Sequence, residues 1–181
     1  MKFKKISQGL VHVYTGPGKG KTTAALGLAL RAISYKKKVL IVQFIKGPWR
    51  SGDLDAVKKL KPYLNIYAMG QGFIKILGDK KPLAVHKRAA KDALGYAKKQ
   101  IKTGKYNIVI LDEINVAIKK KLLTQKEVVN LIRTKPSKVE LILTGRGATA
   151  KIKKYADYVS EIKDIKHPFR KGILARESID Y

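Results

Sequence analysis

The sequence predicts an α/β fold in which helices cover both faces of a mainly parallel sheet. Three observations support this prediction: short apolar segments of strand length alternate with helical patterns, most of these segments lack the polar-apolar alternation of half-exposed strands, and glycine-rich or polar clusters follow them directly. Continuous apolar strands are typical of parallel sheets buried on both faces. We predict one domain over residues 1–181, because no repeat and no linker interrupts the pattern.

The first half of the chain contains three predicted strands and two predicted helices. In chain order these are a strand from Leu10 to Tyr14, a helix from Thr22 to Tyr35, a strand from Val39 to Ile45, a short helix from Asp53 to Leu60 and a strand from Leu64 to Met69. The first strand runs directly into a glycine-rich loop. The helix after that loop is apolar almost all round, which indicates that it packs on a sheet.

The second half repeats the alternation. We predict a helix from Leu83 to Lys102, a strand from Asn107 to Leu111, a helix starting at Thr124, a strand from Val139 to Leu143, a short helix from Ala148 to Tyr155 and a strand near Tyr158 to Ile162. The long helix carries an apolar stripe at helical spacing, and Gly104 ends it. Thr124 with Glu127 three residues later matches a capping box.

Ligands of such sheets bind beyond the carboxyl ends of the strands. The loops of interest therefore follow Tyr14, Ile45, Met69, Leu111 and Leu143. Each unusual cluster in the sequence falls in one of these five loops.

The loop after the first strand matches a phosphate-binding loop. Its glycines allow successive backbone N–H groups to face phosphate oxygens, and the following helix adds its N-terminal dipole. Lys21 would reach the terminal phosphates and the Thr22 hydroxyl would bind Mg²⁺. The strict motif has glycine where Thr15 stands, and the alternative is a glycine-rich turn before an ordinary helix. The predicted nucleotide-binding residues here are Thr15, Gly16, Gly18, Lys19, Gly20, Lys21, Thr22 and Thr23.

Two further strand ends carry charged residues. Asp112 and Glu113 end an apolar strand, so we predict that one of them holds Mg²⁺ directly or through water, together with Thr22. The alternative is a solvated carboxylate pair opening the next helix. Arg146 lies between two glycines after another strand and suits phosphate recognition, although a structural turn explains it equally well.

The net charge of +27 is the most unusual feature of the composition. Such a charge attracts polyanions, but the lysines are spread along the chain, and this pattern favours solvated surfaces over a dedicated nucleic-acid site. The lack of cysteine excludes disulfides and thiol catalysis and favours a cytoplasmic location. No segment has the length of a membrane span. His12, His86 and His167 lack metal-ligand spacing, so no protein-held transition metal is predicted.

Six blocks in order resemble the phosphate-loop family of ATP:corrinoid adenosyltransferases. The blocks are Tyr14 to Ala25, Val42 to Gly47, Met69 to Phe73, Leu111 to Asn115 with Ala117, Leu143 to Ala148, and Ala156-Asp157 with the ending Ala175 to Tyr181. The glycine loop alone would indicate only nucleotide binding. The resemblance covers nearly the whole chain and implies a RecA-like P-loop fold.

The resemblance also implies a reaction in which a reduced Co(I) corrinoid attacks C5′ of ATP and triphosphate leaves. Members are understood to bind ATP reversed relative to ordinary phosphate-loop hydrolases. The implied cofactors and partners are Mg²⁺ or Mn²⁺, a corrinoid, a flavoprotein or other reductant, and a second copy in a homodimer. The implied catalytic residues are Lys21, Thr22 and Glu113, and the implied corrinoid residues are Phe73, Trp49 and Gly72. Lys75 stands where the family commonly has a second aromatic, tryptophan.

Three other functions stay open at the level of sequence. A basic phosphate-loop ATPase acting on nucleic acid explains the charge but not the Gly70 to Phe73 block. A kinase of the nucleoside type lacks an evident lid with paired arginines. A non-catalytic carrier of corrinoid or nucleotide would not depend on Thr22.

Overall fold

The computed structural model describes residues 8–47, 57–72, 74 and 78–179. Within these ranges, six strands form one sheet with the order β3-β2-β4-β5-β1-β6, and every neighbouring pair is parallel. The strands are β1 (Val11–Thr15), β2 (Val39–Gln43), β3 (Leu64–Ala68), β4 (Ile108–Asp112), β5 (Glu140–Thr144) and β6 (Tyr158–Glu161). The predicted parallel sheet is confirmed.

The helices are α1 (Lys21–Ser34), α2 (Leu83–Lys102), α3 (Ile114–Lys119), α4 (Gln125–Thr134) and α5 (Ala150–Lys154), followed by a 3₁₀ helix at Pro168–Lys171. The capping box at the start of α4 is confirmed, with Thr124 and Glu127 bonded reciprocally. Residues 57–59 of the predicted Asp53 to Leu60 helix are helical, and its start lies outside the described residues. Helix α3 and the 3₁₀ helix were not predicted from the sequence.

The core has one layer on each face of the sheet. On one face, the stripe predicted for α2 packs against Val109 and Leu111 of β4. On the other face, Ala25 and Ala29 of α1 pack against Ile110. The alternating directions of β4 side chains therefore supply both layers, which is why the strand is apolar from Ile108 to Leu111. The buried residues of the α2 stripe are Ala90, Ala93, Leu94, Ala97 and Ile101.

Helix α1 is less buried than its apolar sequence suggests. Only one stripe faces the sheet, and Leu30 on the outer side is 55% exposed. None of the helices within the described ranges has both the length and the apolar character required to cross a membrane.

Three strands end one residue later than predicted, and each gained residue is polar. β1, β4 and β5 end at Thr15, Asp112 and Thr144 in place of Tyr14, Leu111 and Leu143. β2 ends earlier than predicted, at Gln43 in place of Ile45. Pairing continues to these polar residues, for example between Gln43 and Asp112 and between Thr15 and Glu161. The carboxyl edge of the sheet is therefore a row of buried polar side chains.

Candidate active site

The four central strands each end in a buried polar residue. The exposed fractions are 2% for Thr15, 1% for Gln43 and Asp112, and 0% for Thr144. The strand order places these ends side by side, as β2, β4, β5 and β1. Polar groups this deep must be hydrogen-bonded within the protein or to a ligand.

The carboxylate of Asp112 is the centre of this row. The Thr144 hydroxyl donates to Oδ1 at 2.7 Å, and the Thr22 hydroxyl at the start of α1 donates to the same oxygen at 2.8 Å. Gln43 Nε2 donates to Oδ2 at 3.2 Å. Thr22 and Asp112, two of the residues predicted to hold a cation, are therefore in direct contact in the structure. Donors from three elements fix the orientation of this side chain.

Thr144 also holds the neighbouring acidic residue. Its hydroxyl oxygen accepts a hydrogen bond from the Glu113 backbone N–H at 2.9 Å. Glu113 has left-handed backbone angles, φ 62° and ψ 21°, and precedes α3 directly. Gly145, with φ 121°, leaves room beside Glu113, because a Cβ there would lie 3.1 Å from Glu113 Oε2. Strained non-glycine backbone of this kind is often found at functional sites.

The phosphate loop is shaped by the segment that follows β6. A Cβ at Gly16 or Gly18 would lie 2.4 Å from the carbonyl oxygen of residue Ile162 or Lys163, respectively. The Gly18 N–H donates to the Ile162 carbonyl at 2.8 Å. The Gly18 N–H is therefore already used within the protein, although the sequence predicted that successive backbone N–H groups of this loop face phosphate. Gly16 and Gly20 have positive φ values, which explains why glycine occupies both positions.

Lys21 is buried, with 6% exposure, and its Nζ donates to the Gly18 carbonyl at 2.5 Å. Burial lowers the pKa of Lys21, the charge of Arg146 lowers it further, and Glu113 and Asp112 oppose the change. Burial and the nearby Asp112 raise the pKa of Glu113, while Lys21 and Arg146 act in the opposite direction. These four residues therefore form one interacting charge cluster, even though Arg146 itself is exposed.

The other predicted site residues are buried, exposed or outside the described residues. The Thr15 hydroxyl donates to the Gly145 carbonyl at 3.0 Å and accepts from the Ala148 N–H, so it ties β1 to the loop after β5. Lys19 is exposed, and its Nζ donates to the Ile179 carbonyl at 2.9 Å. Gly72 bonds through its N–H to the Ile45 carbonyl at 3.0 Å. Thr23 is exposed, and Trp49, Phe73 and Lys75 lie outside the described residues.

Sequence reasoning assigned no role to Gln43 or Thr144. Both interrupt apolar strand patterns, and a lone polar residue at the end of a buried strand was the available clue. Their partnership with Asp112 depends on which strands are neighbours, and the sequence pattern does not contain that information.

The oxygen atoms of Thr22, Asp112 and Glu113 suit Mg²⁺ or Mn²⁺, which prefer hard oxygen ligands and are commonly shared with phosphates and water. The described residues contain no group of three or more His, Cys, Asp or Glu side chains that could hold a metal by itself. Two histidines pair with carboxylates, His12 with Glu140 and His86 with Asp79.

The fold is similar to that of a KaiC-like protein from Pyrococcus horikoshii. The match has a TM-score of 0.53 at 17% identity and covers 86% of this chain and 73% of that chain. The likeness supports the predicted α/β, RecA-like P-loop fold and no more than the fold.

Sequence comparison identifies the family. The model of the family described as ATP:corrinoid adenosyltransferase BtuR/CobO/CobP matches residues 7–181. A corrinoid adenosyltransferase of Escherichia coli K12 is 37% identical over 175 residues, which are 96% of this chain and 86% of the relative. One from Sinorhizobium is 36% identical over 183 residues, covering 100% and 84%, and one from Salmonella typhimurium is 34% identical, covering 96% and 86%. The chain belongs to the ATP:corrinoid adenosyltransferase family, an enzyme family that transfers the adenosyl group of ATP to a corrinoid.

Proposed function

We propose that the phosphate loop of this chain holds the leaving group of an adenosyl transfer, namely the triphosphate of ATP. The nucleophile is the Co(I) centre of the corrinoid substrate, which attacks C5′. The C5′–O bond breaks, and its electron pair departs on triphosphate. The observation that supports this role best is the buried ammonium of Lys21, placed in one charge cluster with Arg146, Asp112 and Glu113.

The protein's task in this reaction is electrostatic. Negative charge grows on the triphosphate as the bond breaks, and fixed positive charges in a buried site stabilise that change strongly. Lys21 supplies such a charge, and the exposed Arg146 and Lys19 add two more at the surface. A protein base is not needed for attack by Co(I), so the acidic residues are available for another role.

We assign Thr22, Asp112 and Glu113 to a divalent cation, Mg²⁺ or Mn²⁺. Such a cation would neutralise charge on the phosphate oxygens of bound ATP. Thr144 and Gln43 keep the Asp112 carboxylate in place, and the Thr144 bond to the Glu113 N–H keeps the second carboxylate beside it.

The corrinoid side of the site is assigned to Phe73, Trp49 and Gly72. Aromatic side chains suit the flat corrin ring, and Gly72 follows the strand β3, whose carboxyl end belongs to the same edge of the sheet. Lys75 cannot supply the ring that tryptophan would provide. The step affected is displacement of the lower axial ligand, which in the family eases reduction of Co(II).

Three further assignments complete the proposal. A flavoprotein or another reductant supplies the Co(I) state, the chain works as a homodimer, and it acts in the cytoplasm. Family membership does not favour the alternative of a nucleic-acid ATPase, although the charge of +27 is greater than nucleotide binding requires.

The test is product analysis with ATP, Mg²⁺ and chemically reduced cobalamin. Loss of the Co(I) absorbance should accompany equal amounts of adenosylated corrinoid and inorganic triphosphate. Formation of ADP and phosphate, stimulated by DNA, would contradict the proposal and support the ATPase instead. A phosphorylated acceptor would support the kinase.

A further inference from the structure

A cavity of about 250 Å³ lies beside the phosphate loop, outside the row of strand ends. Its lining residues are Arg146, Asp164, His167, Phe169 and Arg170. Four of these five residues come from the segment after β6, which contains the 3₁₀ helix at Pro168–Lys171. The function proposed above makes use only of Arg146.

Two observations place the cavity next to the phosphate loop. The backbone at Ile162 and Lys163 packs directly on Gly16 and Gly18, and the cavity wall begins at the following residue, Asp164. Arg146 lines the cavity and also acts by its charge on Lys21. An anion held at Lys21 therefore has this cavity as its neighbour.

The donors that face the cavity suit phosphate oxygens. Arg170 forms an ion pair with Asp164 at 2.8 Å through one nitrogen, and its side chain remains 61% exposed. A guanidinium has several N–H groups, so others are available to a ligand. His167 Nδ1 accepts the Phe169 N–H at 3.2 Å, which assigns the proton of the neutral ring to Nε2. The cavity thus offers two guanidinium groups and one imidazole N–H, against one carboxylate.

We propose that this cavity binds the terminal phosphate of the triphosphate chain, at the end remote from the adenosyl group. Arg146, Arg170 and His167 are the residues that bind it. The inference rests on the function proposed above, because it needs a polyphosphate in the phosphate loop. The volume accommodates a phosphate group with several waters, since one water takes about 30 Å³.

A terminal-phosphate site makes a specific prediction about chain length. A linear anion that contacts both the loop and the cavity gains from two linked contacts, whereas a shorter anion reaches only one. Affinity should therefore rise from phosphate to pyrophosphate to triphosphate. The step from pyrophosphate to triphosphate should depend on Arg170, and the step before it should not.

Calorimetric titration of the full chain with sodium salts of these three anions tests the site. Arg170→Ala should weaken triphosphate binding about tenfold and change pyrophosphate binding less than about twofold, since one charged contact is lost. Arg133→Ala, which removes an exposed arginine from the last turn of α4, is the matched control and should leave all three affinities unchanged. Equal losses for both anions, or no loss, would overturn the proposal.

A second variant excludes damage to the fold as the explanation. Asp164→Asn removes the negative charge from the cavity and releases Arg170 from its ion pair. It should bind triphosphate several-fold more tightly, a gain that unfolding cannot produce. Unchanged or weaker binding would contradict the site. If Asp164→Asn strengthened the binding of inorganic phosphate and not that of triphosphate, the cavity would be a site for free phosphate and the proposal would be wrong. If the unaltered chain bound no triphosphate, the function proposed above would fail as well, whereas normal binding with an unaffected Arg170→Ala variant would remove only the cavity.

Discussion

Thr144 donates a hydrogen bond to Oδ1 of Asp112 at 2.7 Å, and its oxygen accepts the backbone N–H of Glu113. One hydroxyl on β5 thus joins both acidic residues at the end of β4. The bond to Glu113 supports a backbone conformation that glutamate adopts rarely. The geometry of the proposed cation site therefore depends on a residue that we assign no contact with the ligand.

Thr144→Val should impair both stability and catalysis. The substitution keeps the shape but leaves the Glu113 N–H without its partner and removes one donor from Asp112, at a cost of about 1–3 kcal/mol. Thr144→Ser, which keeps the hydroxyl group, should retain most of the stability and most of the catalytic activity. Urea unfolding and adenosyl transfer at several Mg²⁺ concentrations measure the effects, with Thr134→Val on the exposed face of α4 as the control. A Thr144→Val enzyme with an unchanged Mg²⁺ requirement would refute the positioning role.

Lys21→Ala should lower the turnover number by about 10² or more, because a fixed charge on the leaving group is lost. Lys21→Met, which keeps most of the side-chain volume but not the charge, should lower the turnover number by a similar factor. Lys154→Ala on the exposed side of α5 is the matched control and should retain normal turnover. Since burial lowers the pKa of Lys21, its ammonium group loses its proton at a pH below the ordinary lysine value of 10.5. We therefore also expect activity to decline at alkaline pH before that value is reached. Near-normal turnover in Lys21→Met would contradict the assignment.

Glu113→Gln should stabilise the ligand-free chain while reducing its activity. The pKa of Glu113 is raised in the folded state, so the folded chain holds this proton more tightly than the unfolded chain. Stability therefore falls as pH rises from the ordinary value of 4.5 through the raised value, and the full cost is present above the raised value. Removing the charge recovers this cost, and each 1 kcal/mol raises the melting temperature by about 2–4 °C in a chain of this size.

Thermal unfolding of Glu113→Gln at several pH values checks this sign. The advantage of the variant should grow as pH rises above the ordinary value of 4.5 and should vanish below it. Glu161→Gln on the exposed strand β6 serves as the control. A variant that is less stable than the parent at neutral pH would show that the Glu113 carboxylate stabilises the fold.

Gly18→Ala should disrupt nucleotide binding through steric contact. Gly18 lacks a positive φ value, so the backbone tolerates alanine, but the new Cβ would lie 2.4 Å from the Lys163 carbonyl oxygen. The phosphate loop and the segment after β6 must then separate. Gly27→Ala within α1 meets no atom within 4 Å and should stabilise the chain by about 0.5–1 kcal/mol. ATP binding by calorimetry compares the two, and normal affinity in Gly18→Ala would show that this packing is dispensable.

The capping box of α4 gives a prediction independent of function. Thr124→Ala should cost about 1 kcal/mol of unfolding free energy. Hydrogen bonds from Thr124 hold the pKa of Glu127 below its ordinary value of 4.5, so the contribution of its charge is complete above that pH. It is lost as pH falls through the lowered value. Urea unfolding of Glu127→Gln should therefore show a deficit at pH 7 that shrinks as pH falls below 4.5, with Glu177→Gln as control.

The elements with strong periodic patterns were predictable from sequence. The helix from Leu83 to Lys102 matches α2, because its apolar stripe and the following Gly104 mark the same boundaries in sequence and structure. Helix α3 was missed because it has only six residues and starts without a side-chain cap. Its first residue follows Glu113, whose left-handed conformation has no signature in the sequence.

The residues of the candidate site were predictable from the sequence, but the contacts between them were not. Lys21, Thr22 and Asp112 come from motifs, and the structure brings Thr22 and Asp112 together. The roles of Thr144 and Gln43 depend on the strand order, since β4 lies between β5, the next strand in the chain, and β2, from which β3 separates it in sequence. Similarly, the use of the Gly18 N–H by Ile162 depends on the position of the segment after β6.

The position of β1 in the sheet has a consequence for how the chain matures during synthesis. Of the strands that the structure describes, β1 is the first to be made, yet both of its neighbours, β5 and β6, are the last two. The phosphate loop that follows β1 acquires its contact with Ile162 only after this whole sheet has been translated. A ribosome-bound fragment that ends before β6 can therefore contain the complete glycine motif and still lack this contact. The backbone that shapes the phosphate loop thus becomes available only after all six of these strands have been made.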